Sequence, residues 1–236
     1  MTGFQSKPSV LTIKNKTFVI CIPGKLFSKD FMLNLFDLVN FIRSNGGKFF
    51  FSVQYYPIVN MSRCACLGAD VTRGKKQKPF NEEIKYDYLL WIDSDIIFNN
   101  DLFLRLVNAN KDLVSGWYCQ PSNNADGSLQ TPVTEDASDE YFNEYGGYKL
   151  LSSKEIEEKE NLFKVDYIGF GWVLVKKGVF ESLEYPWFAP RMRYMLNDVQ
   201  DLCSEDVAFC IDAKNAGFEI WVDPKCRVGH EKMLVI

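Results

Sequence analysis

The chain is short of several features, and each shortage removes a class of function. Positive charge is outnumbered: 27 Lys and Arg stand against 31 Asp and Glu, a formal charge of -4 over 236 residues. That leaves no electrostatic footprint for a phosphate backbone, so nucleic acid is excluded as a partner. The one basic cluster, Arg73, Lys75, Lys76 and Lys78, reads as a solvated loop. No apolar run approaches the ~20 residues that cross a bilayer, so a transmembrane segment is not expected. The opening MTGFQSKPSV has no signal-peptide core. The seven cysteines, at 21, 64, 66, 119, 203, 210 and 226, are odd in number and form no C-x-x-C pair. Most sit inside apolar segments. Free buried thiols in a reducing, cytoplasmic compartment therefore fit better than a disulfide framework or a zinc site. Histidine occurs once, as His230, and neither an internal repeat nor a low-complexity tail is present.

What is abundant is apolar and aromatic material, 47% and 15% of the residues, enough for a substantial core. The most informative stretch is Tyr86-Asp87-Tyr88-Leu89-Leu90-Trp91-Ile92-Asp93-Ser94-Asp95. Residues 88–92 read as a buried strand that stops at two carboxylates one residue apart. Strand side chains alternate, so Asp93 and Asp95 point the same way if the extended geometry persists. Two ionised carboxylates in a partly buried place repel each other. A divalent cation removes that conflict, and aspartate oxygens suit Mg²⁺ or Mn²⁺, ions that commonly bring a diphosphate with them.

Around this stretch the chain alternates strand and helix. Residues 17–22 (TFVICI) predict a strand ended by Pro23-Gly24. Ser28 caps a helix to about Ser44, and residues 48–55 form a second strand, which makes an opening β-α-β unit with parallel strands. Asn60 or Ser62 caps a second helix through Ala69, and 74–83 is a polar, basic loop. After the acidic strand end, Asn99 or Asn100 caps a short helix and 113–118 is another strand. Residues 119–147 dissolve into Pro, Ser, Asn, Asp and Gly, a long loop of functional character. Ser152 opens a charged helical stretch. In 165–175, two strand pieces flank Gly169-Phe170-Gly171, a joint that is either a β-bulge or a place where a ligand approaches the backbone. An aromatic loop at 185–193 carries Arg191 and Arg193. Ser204 caps a helix with Glu205 and Asp206 in its first turn, residues 218–222 are a last strand, and Val228-Gly229-His230 follows. Acids in a first turn are also favoured by the helix dipole alone.

The order of these signals resembles the GT-A fold of nucleotide-sugar-dependent glycosyltransferases, particularly small viral or bacterial enzymes. Asp93-Ser94-Asp95 at a strand end, Gly169-Phe170-Gly171-Trp172, Ser204-Glu205-Asp206 on a helix and a late His230 occur in the family's sequence. The resemblance covers roughly residues 18–230. It implies an α/β, Rossmann-like single domain over 1–236, with a mixed, mainly parallel sheet flanked by helices. Residues 17–118 form the nucleotide-sugar half and 119–236 the acceptor half. It implies Asp95 and His230 as metal ligands, with Asp93 on the ribose, the sugar or the metal through water, and Mn²⁺ or Mg²⁺ bridging the donor diphosphate. Asp206 takes the place of the general base of an inverting enzyme, and Glu205 holds sugar or acceptor. Gly169 and Gly171 line the donor sugar with Trp172 as a stacking wall, and Pro23 lies near the nucleoside. Arg63 is either a pyrophosphate contact or a helix-surface arginine. The partners implied are a nucleotide-diphosphate sugar and a carbohydrate or other hydroxyl acceptor. The compartment is the cytoplasm, that of the host for a viral chain. Oligomeric state is left open.

One position departs from the family: Gln54-Tyr55-Tyr56-Pro57 has no acid to read the base, which leaves the donor nucleotide open. Two other classes stay in view. A sugar nucleotidyltransferase also uses carboxylates and Mg²⁺ on such a sheet. It needs a glycine-rich basic loop after the first strand, where this chain has only Pro23-Gly24-Lys25-Leu26. A catalytically silent nucleotide-sugar-binding module is the third. The apolar Leu234-Val235-Ile236 reads as a docked strand or as the start of more chain.

Overall fold

The computed structural model describes residues 12–121 and 127–232. The polar start, the apolar 234–236 and residues 122–126 of the long loop lie outside the described residues.

The opening unit is β1 (Thr17–Pro23), α1 (Lys29–Ser44) and β2 (Lys48–Gln54), then α2 (Val59–Cys66). β3 (Tyr88–Ile92), β4 (Ile96–Ile97), α3 (Asn100–Ala109) and β5 (Leu113–Trp117) follow. Next come β6 (Val133–Thr134), α4 (Asp139–Tyr145), α5 (Ser153–Glu157), β7 (Phe163–Val165), β8 (Tyr167–Ile168) and β9 (Trp172–Lys176). The chain closes with α6 (Val179–Ser182), β10 (Arg191–Tyr194), β11 (Gln200–Cys203), α7 (Glu205–Asn215), β12 (Ile220–Arg227) and β13 (Gly229–His230).

Seven strands form one sheet in the order β2-β1-β3-β9-β5-β12-β7. β1 pairs parallel with β2 and β3, and β12 pairs parallel with β5. β9 lies antiparallel between β3 and β5, and β7 is antiparallel on β12. The expected α/β architecture, a mixed and mainly parallel sheet flanked by helices, is what the chain adopts.

Strand alternation divides the core in two. Val19 and Cys21 of β1, Leu89 and Trp91 of β3, and Val173 and Val175 of β9 face one cluster with Phe180 and Phe209. Phe18, Ile20, Ile22, Tyr88, Leu90, Ile92, Trp172 and Leu174 face the other, against Leu38 and Ile42 of α1 and Phe103 of α3. Burial of each such side chain contributes about 1.5–3 kcal/mol. The capping expectations hold at Ser28, which accepts from Phe31 N–H (3.0 Å), and at Asn99, which accepts from Leu102 N–H (3.0 Å). Ser152 forms a capping box with Glu155.

Other expectations change. α2 starts at Val59, and Ser62 lies inside it with its hydroxyl bonded to the backbone of Tyr56 (2.8 and 3.1 Å), stapling the leading loop rather than capping the helix. The 119–147 loop carries β6 and α4, and 185–203 carries the β10–β11 hairpin. β6 finds its partner in β8, distant in sequence, whereas the hairpin pairs locally. The basic loop is anchored by Gln77, whose amide group bonds the backbone of Asp70 and Gly74. The expected free cysteines are all present as thiols, six of them buried.

Candidate active site

β3 delivers its chain end between β1 and β9. Beyond Ile92 the strand does not persist: Asp93 C=O accepts from Ile96 N–H (3.0 Å), so Asp93-Ser94-Asp95 is a turn. The expectation that Asp93 and Asp95 point the same way is therefore corrected. A turn rotates successive side chains where a strand would alternate them, and the two carboxylates meet different partners. β4, just past the turn, pairs with β13 and sets Ile96 opposite His230. Gly24, past the end of β1, lies so close to Ser94 that a Cβ there would sit 2.5 Å from its side chain. Only glycine allows the two loops to touch.

Asp93 belongs to a buried ion cluster. Arg63 of α2 is 3% exposed. Its Nη1 and Nη2 donate to the two oxygens of Asp93 (3.0 and 3.1 Å), its Nε donates to Glu205 Oε1 (3.3 Å), and Nη1 also reaches Phe170 C=O (3.4 Å). The guanidinium lies near the rings of Phe170 and Phe188, at 5.4 and 6.0 Å from their centroids. Burial opposes its charge, but Asp93, Glu205 and Asp206 outweigh it and hold Arg63 charged. Burial lifts the Asp93 carboxyl, with Arg63 pulling against the rise. Burial and the neighbouring Asp206 lift Glu205 in the same way. Arg63 thus faces inward. It is neither a helix-surface residue nor free for a pyrophosphate.

Asp95 belongs to a second cluster. Its Oδ2 lies 3.2 Å from His230 Nε2 and accepts from Lys232 Nζ (2.7 Å). Burial would raise the Asp95 carboxyl, but these two partners outweigh it and hold it at about 2. His230 Nδ1 sits 2.9 Å from the carbonyl of Cys119, an acceptor only, so Nδ1–H donates there. Nε2 is the ring nitrogen turned toward Asp95. One carboxylate and one imidazole fit Mn²⁺ or Mg²⁺ when phosphate oxygens and water complete the shell. Among the described residues no group of three or more His, Cys, Asp and Glu side chains converges, so the protein alone does not make a closed cage. Of the expected metal ligands the structure brings Asp95 and His230 together and commits Asp93 to Arg63.

Asp206 lies in the first turn of α7. It accepts from Tyr167 O–H (3.2 Å), from its neighbour Val207 N–H (2.9 Å) and from the Ser204 hydroxyl. Ser204 occupies the N-cap position, yet its side chain makes no cap bond and serves Asp206 instead. Asp95 and Asp206 both act electrostatically on Asp93, and Arg63 ties Asp93 to Glu205, the residue before Asp206.

The Gly169-Phe170-Gly171 joint packs on Tyr118, and a Cβ at Gly171 would meet that ring at 2.8 Å. The glycines admit Tyr118 to the site wall, where its ring lies edge-on to His230 (4.8 Å between centroids). Burial keeps the Tyr118 phenol protonated, its pKa raised. Trp172 is not brought to the site. It is fully buried on the α1 side, stacked on Phe98 at 4.8 Å, with no face left for a sugar. Pro23 closes β1 opposite Gln54. Residues missed from sequence are Tyr118, Tyr167 and Lys232. Tyr118 follows β5, and its place at the carboxyl end of a strand running with β3 was the available signal. Lys232 had none.

No protein-family model matches the chain, and no curated protein matches it. Among solved structures, A197 from STIV aligns over 94% of this chain and 96% of its own at 16% identity, TM-score 0.48. GalNAc-T7 with UDP, GalNAc and Mn²⁺ aligns over 94% of this chain and 44% of its own at 11% identity, TM-score 0.49. An inositol-1-phosphate CTP transferase from T. maritima aligns over 93% and 89% at 10% identity, TM-score 0.42. Likeness this distant assigns neither a family nor an activity.

Proposed function

We propose that the chain is a metal-dependent glycosyltransferase of GT-A organisation, moving a sugar from a nucleotide-diphosphate sugar to a hydroxyl acceptor with inversion. One observation supports this reading above others. Asp95 and His230 lie side by side just past the carboxyl end of β3, two donors that suit a cation, and Asp206 acts electrostatically on the neighbouring Asp93. Those are the two halves of a transfer, a place for leaving-group charge and a place for the acceptor's proton.

Residues 17–118 hold the donor and 119–236 form the acceptor side. Pro23 lies beside the nucleoside, and Asp93, held in place by Arg63, contacts ribose or sugar. Gly169 and Gly171 shape the sugar wall through Tyr118. Asp95 and His230 would hold Mn²⁺ or Mg²⁺, which when bound would supply Lewis-acid stabilisation to the departing diphosphate. Lys232 adds a fixed positive charge at Asp95. Asp206 takes the proton of the acceptor hydroxyl as that oxygen attacks the anomeric carbon. Tyr167 and Ser204 hold its carboxylate in place for that transfer. Glu205, anchored by one oxygen to Arg63, offers the other to sugar or acceptor.

The test is turnover of a panel of nucleotide sugars with Mn²⁺, in wild type and in Asp95→Ala. Metal-dependent donor cleavage that is lost in the variant is expected. Cleavage indifferent to chelation, or full activity in Asp95→Ala, would overturn the proposal. Consumption of a nucleoside triphosphate with pyrophosphate release would instead place the chain among nucleotidyltransferases.

A further inference from the structure

Among the described residues β2 is an end strand of the seven-stranded sheet and pairs only with β1. Proteins blunt such edges with charge, proline, bulges or a covering element, because the bare ladder is a template for another strand. β2 (KFFFSVQ) has a lysine at its first residue and no charge after it, no proline, and an unbroken register with β1 through Gln54. Its two faces both carry exposed apolar side chains: Phe50 and Phe51 are each 47% exposed and Val53 45%. Phe51 packs on Phe49 (5.3 Å) on the α1 side, and Phe50, one residue on, points to the other face. α1 adds exposed Leu33 and Phe36, and the loop after β2 adds half-exposed Tyr55 and Tyr56.

We infer that this edge is where two copies of the chain join, β2 against β2, antiparallel about a two-fold axis at Phe51. Two copies of one edge can meet isologously only in that way. The register centred on Phe51 is the one that pairs all seven residues. It sets Lys48 across from Gln54, so no like charges oppose. It also sets Tyr55 and Tyr56 across from Gly47 and Gly46, large side chains against none. An aromatic side chain buries about 150–250 Å², so each half-exposed ring offers about 100 Å². Phe36, Phe50, Phe51, Tyr55 and Tyr56, with Leu33, Val53 and the backbone edge, therefore reach about 700–800 Å² per copy. That matches the ~800 Å² per partner of a standard specific interface. The occupant is a second copy because size, charge and register all close on the edge itself.

Sedimentation equilibrium of the wild-type chain at tens of micromolar tests this, alongside Phe51→Lys. The variant places two lysines against each other at the axis, and like charges there cost several kcal/mol, a weakening of about 100-fold or more. A dimeric wild type and a monomeric Phe51→Lys are expected, with Leu202→Lys, an exposed change on the distant β10–β11 hairpin, still dimeric. Amide exchange supplies a second reading: protection of β2 should fall on dilution while that of β1 does not, which also shows that the variants fold. A monomeric wild type, a Phe51→Lys dimer, or β2 protection independent of concentration would overturn the proposal. The last two would point to another interface or to a covering segment of the chain itself.

Discussion

Replacing Arg63 by Met removes the charge that joins Asp93 to Glu205 and leaves a side chain of similar length among Phe170 and Phe188. Arg63 is 3% exposed, and its partners' side chains are 26% and 12% exposed, so water compensates little. Breaking a buried pair by removing one partner costs about 3–5 kcal/mol. The partial exposure of Asp93 puts the expectation at the lower end, about 3 kcal/mol. A chain of this length shifts Tm by about 2–4 °C per kcal/mol, so a loss of about 6–12 °C is expected. Urea denaturation at neutral pH measures the free energy, and a double-mutant cycle with Asp93→Asn measures the pair. The double variant should recover part of the loss, with a coupling of about 1–3 kcal/mol. The deficit should also depend on pH. Without Arg63, Asp93 and Glu205 are lifted by burial, so each binds its proton more tightly folded than unfolded. Stability then rises as pH falls toward those raised values and is lost as pH climbs through them. A deficit under about 1 kcal/mol, strict additivity with Asp93→Asn, or a deficit that grows in acid would refute the reasoning.

The other expectations are more direct. Asp95→Ala should weaken Mn²⁺ binding in the presence of a nucleoside diphosphate by about 10–100-fold, read by calorimetry; unchanged affinity would remove Asp95 from the metal site. Asp206→Asn should lower the transfer rate by about 10²–10⁴-fold with little change in donor KM, the signature of a lost base rather than lost binding. Thiol titration of the native protein should label Cys119 first. The other six cysteines are buried, and burial pushes Cys66 up to about 12 and raises Cys21 well above its ordinary value; rapid labelling of all seven would contradict the packing. Gly171→Ala should cost about 1–3 kcal/mol by forcing a Cβ against the Tyr118 ring, measured by thermal or urea unfolding.

Much of this molecule was legible in the chain because its signals are local. The apolar run at Tyr88–Ile92 and the caps at Ser28 and Asn99 depend on neighbours within a few residues, and all three are present. The β-α-β start needs only a twist preference and a helix of the right length. Ser62 does not cap α2, and Ser204, at the expected N-cap of α7, makes no side-chain cap bond, because a hydroxyl takes whichever partner is nearest. For Ser62 that partner is Tyr56, and for Ser204 it is Asp206. Trp172 beside two glycines read as a sugar platform, but alternation along β9 turns it into the core with Leu174.

The sequence by itself determined the alternating framework, the free thiols and the inventory of acids at element ends, since periodicity and residue chemistry travel with the chain. Only the tertiary structure decided who meets whom. The pairing of β4 with β13 brings His230 to Asp95 across more than half the chain. The packing of α2 against β1 and of α7 behind Phe170 inserts Arg63 between Asp93 and Glu205. Such partnerships carry no local signature, because the energy that holds them comes from burying charge against charge between elements remote in sequence. That is why the Asp93-Ser94-Asp95 motif could be found by reading, and its division into an arginine-bound half and a histidine-bound half could not.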